Sequence, residues 1–146
     1  NQNVVFKHGE NKAVSAKGTF PIPDCVQDVL SAIYYARNID FSQYRANDTI
    51  PVTLFLDDKI YPVYILYLGK ETISTKQGKF KCIKFSPLLI EGTIFKSGSK
   101  MMVWVTDDGN KIPVRVESPI IVGSVAAEIY KYSGLRNPVT AKVSSE

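Results

Sequence analysis

The stretch "IYPVYILYL", Ile60 to Leu68, limits the folds open to this chain more than any other. Alternate residues of a strand point to opposite faces. Tyr61, Val63, Ile65 and Tyr67 therefore share one face, and Ile60, Pro62, Tyr64, Leu66 and Leu68 share the other. Both sets are apolar, and such a strand calls for cover on both sides. One amphipathic helix can cover one side. The other needs curvature of the sheet on itself, a bound ligand, a partner chain, or strands from the N-terminal side.

The remainder of the chain after Thr49 reads as a meander. Pro51 to Leu56, Lys59 to Leu68, Glu71 to Thr75, Lys79 to Pro87, Gly92 to Phe95, Lys100 to Thr106, Lys111 to Glu117 and Ile120 to Tyr132 are each bounded by Gly, Pro, Asp or Ser. Short turns between successive strands imply antiparallel neighbours. "FLDDKIYPVYI" and "VTDDGNKIPVRV" repeat one pattern of apolar strand, Asp-Asp, Lys, Ile and Pro-Val, which predicts two hairpins of one design. In the second, a bend at Asp107 to Asn110 sets Val105 against Ile112, Val103 against Val114 and Met101 against Val116. Trp104 then lies on the opposite face against Pro113, with Met102 and Arg115 beside it. It is either covered by loops or the N-terminal segment, or it is a platform for a ligand.

Ahead of the meander, Ala13 to Phe20 reads as a strand, ended by Pro21 and Pro23. Asp24 with Gln27 forms a capping-box pattern, and a helix is expected over about 24–38. Val26, Val29, Leu30, Ile33, Tyr34 and Arg37 form its apolar stripe, while Asp28, Ser31 and Tyr35 lie on a more polar strip. That stripe is expected to lie on the sheet. The expected architecture is α+β, mainly β: a curved antiparallel meander, like a half-barrel, packed on one helix. It occupies residues 1–133 as one domain, with 134–146 a loose polar tail.

Composition narrows the function classes. No apolar run approaches the roughly 18 residues of a membrane-spanning helix. The net charge is +4, and the densest basic region is Lys76, Lys79, Lys81 and Lys84. Lys84 lies on the opposite strand face from Lys79 and Lys81, so the cluster reads as a solvated strand, not a nucleic-acid groove. Cys25 and Cys82, with His8 the sole histidine, cannot assemble a zinc site. They are two buried thiols or one disulfide. Asp57-Asp58 and Asp107-Asp108 suit bends better than a metal or catalytic pair, because adjacent strand residues diverge. No nucleophile motif accompanies His8.

Three blocks carry a family likeness: "VLSAIYYARNIDF", "YLGKETISTKQGKFKCIKFSPLL" and "GTIFKSGSKMMVWVTDDGNKIPVRVESPIIVGSVAAEI". From about Val26 to Glu128 the chain resembles the exported bacterial proteins grouped as domain of unknown function 3108. The resemblance implies a cell-envelope protein of the periplasm or outer membrane, made with a signal peptide, with no established activity or cofactor. Members are generally longer at the N-terminus, so this chain is expected to be the C-terminal part of a longer exported protein. Its opening "NQNVVFKHGE" fits a mature or trimmed product.

The expected function is non-enzymatic binding of a hydrophobic or amphipathic molecule, such as a lipid, acyl chain or glycolipid. Tyr34, Tyr35, Arg37, Tyr64, Trp104 and Arg115 are the candidate contacts. No metal and no cofactor is expected. The alternative is an interaction or scaffold module, with the same apolar face meeting a partner chain or a second copy. A hydrolytic site built on Asp107, Asp108 and Arg115 would require convergent carboxylates in a cleft.

Overall fold

The computed structural model describes residues 3–88, 101–119 and 123–143. They form two compact units, residues 1–38 with 51–63, and residues 39–50 with 64–146.

In the first unit, β1 (Val5–Lys7), β2 (Lys12–Ser15) and β3 (Gly18–Pro21) form an antiparallel sheet in that order. The single strand expected over Ala13 to Phe20 is thus a hairpin. Ser15 Oγ accepts from the Lys17 N–H at 3.1 Å, and Gly18 turns the chain at φ 141, a conformation open to glycine. Ala13, Ile22, Val26 and Phe55 make a small core. The Phe6 and Phe20 rings pack on Phe55, with centroids 5.8 and 5.9 Å away.

The helix, α1, spans Val29–Ala36 and starts later than the capping pattern at Asp24 suggests. The backbone of Gln27 explains the delay. Its N–H donates to Thr53 O at 2.9 Å, and its carbonyl accepts from the Phe55 N–H at 2.8 Å, which holds it extended as a bridge to Leu54. A helix cannot begin until that bridge is passed. Asp28 is the cap: its Oδ1 accepts from the Ser31 N–H at 2.8 Å, and Ser31 Oγ accepts from the Asp28 N–H at 2.9 Å. No residue of α1 is buried. Of the stripe expected to lie on the sheet, Val26, ahead of α1, is buried in the small core, and the rest remains exposed, with Leu30 at 69% and Tyr34 at 65%.

β4 (Thr49–Leu56) and β5 (Lys59–Thr75) are joined by Asp57 and Asp58 alone. Both have positive φ, 49° and 62°, as a two-residue primed turn demands. The Ser15 hydroxyl and the Lys17 ammonium, 3.0 Å away, hold the Asp58 carboxyl below the usual carboxylate range. The first Asp-Asp pair is therefore a bend, with Asp58 tying it to the β2–β3 turn.

In the second unit the strands run in the order β5, β6 (Gly78–Leu88), β7 (Met102–Thr106), β8 (Pro113–Pro119), β9 (Ser124–Glu128). Every pair is antiparallel, and β10 (Lys142–Val143) also pairs with β6. The sheet does not close into a barrel, and the protein is α+β, mainly β. The two strands expected on either side of Gly69 are one, β5. The register shifts between Tyr67 and Gly69, where Gly69 takes φ 100. The strand expected over Gly92 to Phe95 lies outside the described residues, as does the start of the one expected from Ile120.

The doubly apolar segment behaves asymmetrically. Val63, Ile65 and Tyr67 are buried, whereas Ile60 and Tyr64 are each 44% exposed. In the second unit Phe41 sits between Tyr67 and Phe85, with centroids 5.4 and 5.8 Å away. Full cover of both faces was the expectation, and only one face has it along Val63 to Tyr67. Asp28→Ala should destabilise α1 by about 1 kcal/mol and speed amide exchange over residues 32–36, while Asp24→Ala leaves that exchange unchanged.

Candidate functional site

The one tryptophan and the densest set of ion pairs meet on a single face of the second unit's sheet. Cross-strand pairing puts Gly69, Lys84, Trp104, Arg115 and Glu128 in one row over β5 to β9. Next to it runs a second row of Glu71, Cys82 and Thr106. Trp104 is 4% exposed, so its indole N–H requires an acceptor inside the protein. It donates to Glu71 Oε1. Lys84 Nζ lies 3.3 Å from the same oxygen and 5.0 Å from the indole centroid. Glu71 is held below the usual carboxylate range by the Trp104 hydrogen bond first, against the cost of its burial, and then by Lys84.

Arg115 completes the row. Its Nη2 donates to Glu128 Oε1 and, at 2.9 Å, to Ser74 O, while Nη1 lies 3.8 Å from Glu117. The position beside Trp104 is as expected, but the register is not. Trp104 faces Arg115 and Val103 faces Val116, with a shift between Trp104 and Val105. The cause lies in the loop. Asp108 Oδ1 accepts from Thr106 Oγ1 at 2.8 Å and from the Asn110 N–H at 2.9 Å, and Lys111 takes φ 45. The second Asp-Asp bend is thus longer than the first and serves a different purpose.

That purpose is to fasten the C-terminal segment. Asn110, 4% exposed, donates through Nδ2 to Asn137 O at 2.9 Å and Pro138 O at 3.1 Å. Its Oδ1 accepts from the Asn137 N–H at 3.1 Å. Asp108 Oδ2 accepts from the Ala141 N–H at 3.3 Å, and the Lys81 N–H donates to Ala141 O at 2.8 Å. Ile129, Tyr132 and Val139 then pack on Ile73, Phe80, Cys82, Trp104 and Val114. The segment expected as a loose tail is instead fastened through residue 143, and it supplies Val139 to this core. The pattern missed it because the fastening joins Asn110 and Asp108 to the distant Asn137 and Ala141, which leaves no strand or helix period.

The six predicted contacts fall three in each unit. Trp104 and Arg115 are neighbours, but both are committed to the fold. Tyr64 is exposed on β5 in the second unit, and Tyr34 and Tyr35 are exposed on α1 in the first, followed by Arg37 as its C-cap. The hydrolytic arrangement does not form. Asp107 pairs with Lys70 at 2.8 Å, Asp108 holds the loop and the C-terminal segment, and Arg115 is bound to Glu128. Both cysteines are free thiols. Cys25, expected to be buried, is exposed; burial pushes the Cys82 thiol up to about 11. No group of metal-binding side chains occurs among the described residues. The more accessible apolar surface is α1, where Val29, Leu30, Ile33 and Tyr34 are 46%, 69%, 55% and 65% exposed.

Residues 1–130 match the family model described as "Protein of unknown function (DUF3108)". The chain belongs to this family. The match starts at residue 1, ahead of the Val26 at which the sequence resemblance begins, and the fastened segment after residue 130 lies beyond it. No curated protein and no solved structure matches the chain.

Two measurements probe this site. Because the Glu71 carboxyl is depressed in the folded protein, its contribution is present above the unfolded value and is lost as pH falls through the folded one. Glu71→Gln should therefore flatten the acid limb of a stability–pH profile below about pH 4.5. Asn110→Ala should lower stability by about 1–3 kcal/mol, with exchange of the Asn137 and Ala141 amides accelerated first.

Proposed function

We propose that this protein is a non-catalytic component of the cell envelope that binds a hydrophobic or amphipathic molecule, a lipid or acyl chain, through α1. One observation carries the reading: α1 is ordered and capped at its N-terminus, yet none of its residues is buried. Isolated eight-residue helices are unstable in water, so this one is held by the Asp28 box and the Gln27 bridge. Val29, Leu30, Ile33 and Tyr34 are thereby presented in advance of binding, with little further ordering cost.

The chemistry suits an interfacial contact. Leu30 and Ile33 are three apart and Leu30 and Tyr34 four apart, so the three side chains share a face. Complete burial of a Leu or Ile side chain is worth roughly 1.5–3 kcal/mol, and Leu30 and Ile33, 69% and 55% exposed, have over half of that surface still to bury. Tyr34 adds a hydroxyl that can stay at the polar boundary while its ring is buried. The envelope location is supported by the likeness of the three sequence blocks to exported bacterial proteins.

Binding to vesicles of phosphatidylethanolamine and phosphatidylglycerol tests the reading, with protein purified free of detergent. Native protein should co-sediment, and Leu30→Ser with Ile33→Ser should weaken the association at least tenfold while the circular dichroism spectrum is preserved. Absence of association, or equal association of the double variant, would refute the proposal. Protection of residues 29–36 from exchange by self-association without lipid would favour a protein interface instead.

A further inference from the structure

β9 is the last strand of its sheet, and along Ser124–Glu128 only its short length and the Glu128 charge protect that edge. It pairs with β8, and no other strand among the described residues pairs with it. All five residues, Ser124 to Glu128, are exposed. The sequence "SVAAE" has no proline, no lysine and no bulge, three of the devices that ordinarily keep edges from pairing.

The direction of its backbone groups follows from the register. The Ile129 N–H donates to Val114 O at 2.9 Å, and Ala127 and Val125 face Val116 and Ser118. Alternation turns the N–H and C=O groups of residues 125, 127 and 129 toward β8. Those of Ser124, Ala126 and Glu128 therefore point outward.

We infer that this edge pairs with β9 of a second copy of the chain, antiparallel about a two-fold axis at Ala126. The three outward residues are symmetric about Ala126, so in that register every outward N–H meets the outward C=O of its opposite residue. Ala126 faces its counterpart, Ser124 faces Glu128, and Val125 faces Ala127 across the axis. No like charges are opposed, because Glu128 meets a serine hydroxyl and is already neutralised by Arg115. The central side chains are alanines, which allow close approach. Five residues bury far less than the roughly 1,200 Å² of a standard interface, so the dimer is weak and concentration-dependent. The inference is independent of α1, which lies in the other unit.

Sedimentation velocity over a wide concentration range tests it with the full chain. Native protein should show a dimer fraction that rises with concentration. Ala126→Lys sets two ammonium groups against each other at the axis and should weaken the dimer at least tenfold, as should Ala126→Glu. An equal mixture of the two variants should recover it, because lysine then faces glutamate. Both changes are at an exposed position, and unchanged circular dichroism verifies the fold. A native protein that stays monomeric, a dimer indifferent to Ala126→Lys, or a mixture that fails to associate would each overturn the inference.

Discussion

A buried indole N–H must find an acceptor, and in this protein that requirement places a carboxylate on a sheet face that is otherwise becoming a core. Glu71 accepts from Trp104, and Lys84 balances Glu71 while lying over the indole ring. Arg115, directly across from Trp104, is balanced in turn by Glu128. The charges form a frame at the rim of the apolar cluster of Ile73, Phe80, Cys82, Trp104 and Val114. Such a frame is stable only where water is excluded from the indole and the charged groups keep their partners. Tyr132 and Val139 of the C-terminal segment pack on that cluster, and Asp108 and Asn110 of the loop hold the segment.

The class of fold was legible because strand alternation and turn residues are local signals. The β5 to β8 meander, the separation of Trp104 from the Val103 and Val105 face, and the cation beside it all follow from parity alone. What parity cannot supply is a bulge. Both shifts sit beside bonds to distant residues: the Tyr67 backbone bonds to Asn47 and Asp48, and the loop after Thr106 bonds to Asn137 and Ala141. The same limit applied to the helix. Its stripe was readable, but its start was fixed by the Gln27 bridge to Leu54, which no helical pattern records.

The candidate site was legible in part. Trp104 and Arg115 were correctly placed together, yet an aromatic beside a cation describes a structural core as well as it describes a ligand platform. Burial distinguishes them: Trp104 is 4% exposed, whereas Leu30 on α1 is 69% exposed. The neighbours came from Ile129 and Tyr132, at the end of the strand expected from Ile120, and from Val139 in the segment expected to be loose. The physical consequence is a division of labour among the apolar residues. Those around Trp104 close the second unit's core, and those of α1 remain available in the first.

Trp104 is the sole tryptophan, so its emission reports this core without interference. The most direct measurement is indole fluorescence and acrylamide quenching of the full chain beside a chain ending at Tyr130. The account predicts blue-shifted, weakly quenched emission in the full chain that lipid vesicles leave unchanged, and red-shifted, readily quenched emission once the C-terminal segment is removed. Readily quenched emission in the full chain, or identical spectra for the two chains, would contradict it.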